Sequence, residues 1–223
     1  MTEKLFLHID TFVYLSLPIL FFILNVKKKD GYVLAAYGLT FFLLLFTFDF
    51  IPVHLNKLYN TTYTFFEYTF FAFLFYINFS SPKKKRLVIF FSCIFYCIQI
   101  IHYFFIVSTR LDSIPIGVES ILILLYIILF FLESLVKPEA GFIYNHHFFW
   151  ISTGLLIFLS GTFFINILAE SLPRKDLDKY WFINYLIDTI KTIFFATSLF
   201  IYSKKIKQTT TLNQTKVPYL DMV

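Results

Sequence analysis

The sequence feature that most constrains the fold is an apolar segment, residues 180–203, which is long enough to cross a bilayer as one helix. It nevertheless carries Asn184, Asp188 and Lys191. Their spacing of i, i+4 and i+7 puts all three on one narrow stripe of a helix. Because an ionisable side chain is costly in hydrocarbon, we expect this stripe to face other protein or water. The helix is therefore predicted to line the interior of a bundle.

Six further apolar stretches of about 20 residues precede this segment. They cover residues 8–26, 31–50, 60–80, 87–108, 114–136 and 147–169. The chain is 58% hydrophobic and 22% aromatic, which is more apolar than a soluble domain. We therefore predict an all-α fold, a polytopic transmembrane bundle of seven helices formed by residues 1–203. Residues 204–223 are predicted to form a polar cytoplasmic tail, because their composition is typical of disorder.

The distribution of Lys and Arg predicts the direction in which the helices run. Twelve of the 19 basic residues lie in the tail and in the loops after the first, third and fifth spans, and six lie on the other side. Because cytoplasmic loops are enriched in Lys and Arg, the N-terminus is predicted to be outside and the C-terminus cytoplasmic. The basic residues stand in short runs beside apolar spans, so we expect the lipid bilayer, and no nucleic acid, as their partner.

This orientation gathers the polar residues of the spans in the outer half of the bundle. The polar residues of the even-numbered spans lie near the end of their span, and those of the odd-numbered spans lie near its start. The candidate ligand- or ion-binding residues are Asp49, Glu67, His102, Glu119, Asn166, Asn184, Asp188 and, near the midplane, Lys191. Two interpretations stay open: hydrogen bonds that hold the helices together, or the lining of an outward-facing polar cavity. No cofactor and no metal site is predicted.

Residues of three spans resemble a known group of proteins. The motifs are Glu67 in the third span, Glu119-Ser120 in the fifth, and Phe149, Trp150, Ile151, Gly154, Ser160 and Gly161 in the sixth. In these motifs the chain resembles small, uncharacterised seven-helix bacterial inner-membrane proteins, over roughly residues 30–202. Trp181 also fits the pattern and joins the candidate site, whereas Asp188 and Lys191 depart from it. The resemblance implies a sensor-like or auxiliary protein of the bacterial inner membrane.

The clustered polar residues predict an integral membrane sensor-like or accessory protein that binds a small ligand or ion from outside. Its loops are too short to form an output domain, so we expect a separate cytoplasmic or membrane protein to receive the signal. Two alternatives stay open. One is an intramembrane enzyme for a lipid-linked substrate, with Glu67 or Glu119 as general base, and the other is an ion-coupled transporter that uses buried carboxylates.

Overall fold

A computed structural model describes residues 2–26, 28–105, 113–136, 143–168 and 182–215. Within these ranges the protein is all-helical. The α-helices are α1 (Thr2–Leu24), α2 (Lys29–Thr47), α3 (Asn56–Asn78), α4 (Pro82–Phe105), α5 (Ser113–Val136), α6 (His147–Leu168) and α7 (Phe182–Thr215). Short 3₁₀ helices cover Phe48–Phe50, Val53–Leu55 and Ile143–Asn145. The α-helices therefore fall on the seven apolar stretches of the sequence.

Five helices of the described ranges are long and apolar enough to cross a membrane. These segments are Phe6–Leu24, Lys29–Thr47, Pro82–Phe105, Ile114–Val136 and Phe182–Lys204, while α6 carries a shorter apolar stretch, His147–Phe163. The outer surface of the bundle bears large apolar side chains, such as Phe22, Phe104 and Phe105, which are 77%, 73% and 80% exposed. A surface of this kind is stable against lipid rather than water. The chain is an integral membrane protein.

The helices pack in a closed ring. Each helix contacts the next one along the chain, and α7 returns to pack on α1. In addition, α3 contacts α5, so α3 lies toward the interior of the ring. This arrangement brings α1, α3, α5 and α7 together, and all four of these helices begin at the same end of the bundle. Polar residues early in these helices therefore meet.

The contact between α1 and α2 depends on a tight turn and on a glycine. Asn25, which follows α1, adopts a left-handed φ of 50°, a conformation that Asn tolerates and that ends helices. On α2, a Cβ atom added to Gly38 would lie 2.6 Å from the carbonyl oxygen of Tyr14. Gly38 thus lets α2 approach the backbone of α1 at the level of Tyr14. A similar approach of α6 to α7 occurs at Gly154, where a Cβ atom would lie 2.7 Å from the Cβ of Phe194.

The last helix extends further than the sequence predicts. The prediction ends the seventh span at residue 203 and assigns residues 204–223 to a disordered tail, whereas α7 continues to Thr215. Residues 204–215 contain neither Pro nor Gly, and extending an existing helix requires no new nucleus. Residues 216–223 lie outside the described ranges.

Candidate functional site

A buried lysine lies at the centre of the bundle. Lys191, near the middle of the membrane-crossing part of α7, is 0% exposed. Its ammonium group forms an ion pair with Asp188, one turn earlier on the same helix, and lies 3.5 Å from Oε1 of Glu67 on α3. As the stripe pattern predicts, Asp188 and Lys191 point into protein. The ion pairs connect α7 to α3 through the interior.

Tyrosine side chains from α1 and α2 complete the polar contacts of this lysine. The hydroxyl of Tyr14 donates a short hydrogen bond to Oδ2 of Asp188 and accepts one from Lys191 Nζ at 3.3 Å. The hydroxyl of Tyr37 lies 3.4 Å from that of Tyr14. The sequence does not distinguish Tyr14, because it is one of 15 tyrosines and nothing in its spacing sets it apart from the others.

Aromatic rings surround the ammonium group on its remaining sides. Nζ of Lys191 is 3.8 Å from the ring centroid of Phe158 on α6. It is 5.5 Å from the centroid of Tyr37 and 5.6 Å from those of Tyr14 and Phe71. A cation over an aromatic face is attracted by the ring quadrupole, most strongly where water is excluded. The positive charge is therefore held by ring faces as well as by carboxylates.

Two more carboxyl groups stand beside this ion pair. Asp10 of α1 is buried and accepts a hydrogen bond of 3.3 Å from Thr189 Oγ1. Glu119 of α5 is 3% exposed, interacts electrostatically with Glu67 and Lys191, and has an Oε1 atom that is buried without a hydrogen-bond partner. We call Asp10, Glu67, Glu119, Asp188 and Lys191 the lysine cluster.

The lysine cluster carries more acidic than basic groups. Four carboxyl groups of the cluster lie around the ammonium group of Lys191. Within the described ranges, Lys191 is the cation of this cluster. If all were ionised, the cluster would carry a net charge of −3. An unpaired carboxylate removed from water costs several kcal/mol, which a proton or another positive species relieves. Because a carboxyl group takes up a proton directly, the cluster is chemically a proton acceptor.

The predicted site residues divide into those in the cluster and those elsewhere. Glu67, Asp188 and Lys191 are in contact, and Glu119 is beside them. Asn184 lies one turn before Asp188 on α7 and has a buried Oδ1 atom without a hydrogen-bond partner. Trp181 and the side chains of Asp49 and Asn166 lie outside the described part of the structure. In the described ranges, no three His, Cys, Asp or Glu side chains are grouped as a metal ion would require.

His102 lies apart from the lysine cluster. Gln99, three residues earlier on α4, donates a hydrogen bond of 2.7 Å to the carbonyl oxygen of Thr61 on α3. This contact sets the register of the two antiparallel helices and puts His102 level with the first turns of α3. Glu67 is six residues past Thr61, about 9 Å deeper at 1.5 Å per residue. His102 is buried, but at a different level and on a different helix.

A second buried polar cluster, which the sequence pattern does not predict, lies at the end of the bundle where α2 and α6 begin. Asp30, in the first turn of α2, lies 2.6 Å from Nε2 of His147, the first residue of α6. The same carboxylate accepts a hydrogen bond of 3.0 Å from Asn78 Nδ2 and lies 3.5 Å from Lys28 Nζ. The Tyr202 ring of α7 packs on His147 with centroids 5.4 Å apart. We call these residues the Asp30 cluster.

In the sequence, Asp30 is an acid that follows a run of three lysines. Asp30 is preceded by Lys28 and Lys29, in a loop whose basic residues contribute to the predicted orientation. The predicted second span begins at residue 31 and so leaves Asp30 in the loop, whereas Asp30 lies in the first turn of α2 and is buried. No family model, no curated protein and no solved structure matches this chain.

Proposed function

We propose that the protein crosses the membrane seven times, with its N-terminus outside and its C-terminus in the cytoplasm. Support comes from the five helices of sufficient length and apolar character and from the ring that α3 and α6 complete with them. The excess of Lys and Arg at the end where α2, α4 and α6 begin supports this orientation. In this orientation the lysine cluster lies in the outer half of the bundle.

We further propose that the protein is a membrane sensor-like or accessory protein, in which the lysine cluster responds to a small ligand or ion from outside. The observation that carries this proposal is the surplus of carboxyl groups around Lys191, including an unpartnered oxygen on Glu119. The ion that this chemistry favours is the proton. Uptake or release of a proton at Glu119 or Glu67 changes the charge beside Lys191 and hence the forces between α3, α5 and α7.

The last helix provides a route from the cluster to the cytoplasm. Lys191 lies on α7, which continues without interruption to Thr215. At 1.5 Å per residue the distance along the helix is about 36 Å. A displacement of α7 at the cluster is therefore transmitted along one rigid element to its far end. In this proposal, a separate cytoplasmic or membrane protein receives the signal there.

The test uses Trp150 of α6 as an internal reporter, because its ring lies 5.9 Å from Phe194, three residues after Lys191 on α7. In a Trp181→Phe background it is the remaining tryptophan of the chain. We expect its fluorescence to change on acidification in lipid nanodiscs. The Glu119→Gln variant should lose most of this change, because the amide cannot take up the proton.

Glu133→Gln is the matched control for Glu119→Gln, since it changes the same atoms on the same helix. Glu133 is paired with Lys84 at 2.9 Å, near the opposite end of α5. This variant should respond to acidification as the parent protein does. An unresponsive parent protein, or equal responses in the parent and Glu119→Gln proteins, would contradict the proposal.

The surplus of buried carboxyl groups also favours a second function, ion-coupled transport, because transporters use such groups as proton carriers. The two functions differ in whether protons cross the membrane. Proton flux into liposomes that contain the protein, abolished by Glu119→Gln, would favour a transporter. A fluorescence response without flux would favour the sensor-like function.

A further inference from the structure

A groove on the outside of the bundle is separate from the lysine cluster. It lies between α3 and α4, has a volume of about 400 Å³, and is lined by residues from Leu58 to Phe66 on α3 and from Tyr96 to Phe104 on α4. Each of these segments is about 12 Å long. Noncovalent contacts between the two helices mark the two ends of the groove. Lys57 Nζ donates to the Tyr103 carbonyl at 2.6 Å, and the rings of Phe65 and Tyr96 lie 5.2 Å apart.

A residue that lines this apolar groove carries a buried polar atom without a hydrogen-bond partner. Gln99 lines the groove and is 4% exposed. Its Nε2 atom donates to the carbonyl oxygen of Thr61, while its Oε1 atom is buried without a partner. Exchanging the oxygen and nitrogen of the Gln99 amide does not give both atoms a partner. The carbonyl oxygen of Thr61 can accept a hydrogen bond only from the amide nitrogen. Gln99 therefore holds, in the wall of the groove, an acceptor for which the described chain supplies no donor.

A lysine lies beside one end of the groove. Lys57 is in the first turn of α3, where the helix begins, and its ammonium group lies beside the Tyr103 carbonyl and ring. Gln99 is one helical turn deeper than Tyr103, about 6 Å along α4. From that end inward, the order along the two helices is thus the Lys57 cation beside the groove, then the Gln99 acceptor in its wall, and then the aromatic surface of Phe65, Phe66 and Tyr96.

We propose that the α3–α4 groove binds a single-chain membrane phospholipid with a free glycerol hydroxyl. The phosphate lies near Lys57, the hydroxyl of the adjacent carbon donates to Oε1 of Gln99, and the acyl chain follows the aromatic surface inward. The volume is near the lower end of the range for small-molecule sites, which suits one chain rather than two. This site is separate from the proposed sensing function and does not depend on it.

The experiment compares two lipids that differ in one hydroxyl group. Purified full-length protein in detergent is titrated with 1-oleoyl lysophosphatidic acid and with its analogue that has hydrogen in place of the sn-2 hydroxyl. Native mass spectrometry measures the bound fraction. The wild-type protein should bind the hydroxyl-bearing lipid about fivefold more tightly, since one buried hydrogen bond separates the two complexes. Equal affinities would overturn the proposal.

Variants then test whether Gln99 is the acceptor and whether the groove holds the chain. Gln99→Leu should bind both lipids equally, and a retained preference for the hydroxyl would refute the assignment. Ile100→Trp, which fills the groove from an exposed position, should weaken both lipids about tenfold or more. Ile121→Trp on α5 is its matched control, because both isoleucines are 58% exposed. Equal weakening by the two tryptophans would also overturn the site. If Gln99→Leu fails to fold, the lipid pair and the tryptophan pair still decide.

Discussion

The two buried ionic clusters, one near the centre of the bundle and one at the end where α2 and α6 begin, differ in how their charges are balanced. In the Asp30 cluster a single carboxylate faces donors from His147, Asn78 and Lys28. In the lysine cluster four carboxyl groups share Lys191, and an oxygen of Glu119 has no hydrogen-bond partner. Both clusters connect several helices. The Asp30 carboxylate therefore receives donors from three side chains. In the lysine cluster, by contrast, the four carboxyl groups outnumber the single described cation, Lys191.

This difference indicates what each cluster can do. A buried carboxylate that receives several donors is stable as it stands, and it fixes the helices that supply them. The Asp30 cluster accordingly ties the start of α2 and α6 to the end of α3 and to Tyr202 of α7. A cluster with surplus acids is stable only with an added positive species, so its state depends on its surroundings. The comparison predicts that substitutions in the first cluster act on stability, and that some in the second act on response alone.

The largest effect is expected for Lys191→Met. This change removes the cation but leaves Asp188 and Glu67 buried, so both carboxylates lose their ion pair. Breaking a buried pair from one side costs about 3–5 kcal/mol. We expect the free energy of unfolding in detergent to fall by that amount, measured by thermal or denaturant unfolding.

The Asp188→Asn/Lys191→Met double variant is the control for the loss of Lys191. It removes both charges of the i, i+3 pair, so it should be more stable than Lys191→Met alone. A double variant that is less stable than Lys191→Met would contradict the view that an uncompensated buried carboxylate causes the loss.

A smaller loss is expected for Asp30→Asn. The asparagine keeps the shape of the side chain but removes the charge that His147 and Lys28 contact. Charge-assisted hydrogen bonds contribute about 1.5–3 kcal/mol, and we expect a loss of stability in that range. Lys28→Met should cost less, because the Lys28 side chain is 39% exposed. A larger loss for Lys28→Met would indicate that the lysine, rather than the histidine, holds Asp30.

The sequence predicts much of the fold because each helix carries its own apolar signal. The spacing of Asp188 and Lys191 also predicts that they point into the bundle, since no other position in hydrocarbon tolerates them. The sequence does not predict partners that come from other helices. Tyr14, Asp10 and His147 lie near helix ends or among many similar residues, and their roles depend on the packing of the helices against each other.

The extent of α7 shows a further limit of the sequence pattern. A hydrophobicity pattern marks where a helix leaves the apolar layer, at about residue 203, but it does not mark where the helix ends. The polar residues that follow contain no helix breaker before the described helix ends at Thr215. Termination depends on such local signals rather than on the membrane.

The smallest effect on stability is expected for Glu119→Gln, although this residue is central to the proposed response. The variant keeps the volume of the side chain and removes a group whose Oε1 atom has no partner to lose. We expect the free energy of unfolding to stay within about 1 kcal/mol of the wild-type value.

Glu67→Gln serves as the comparison, because it loses the contact of 3.5 Å with Lys191 and should be clearly less stable. Denaturant unfolding of both variants in the same detergent measures the difference. If Glu119→Gln were as unstable as Glu67→Gln, Glu119 would hold the bundle together in the way that Asp30 does, and the contrast between the two clusters would be lost.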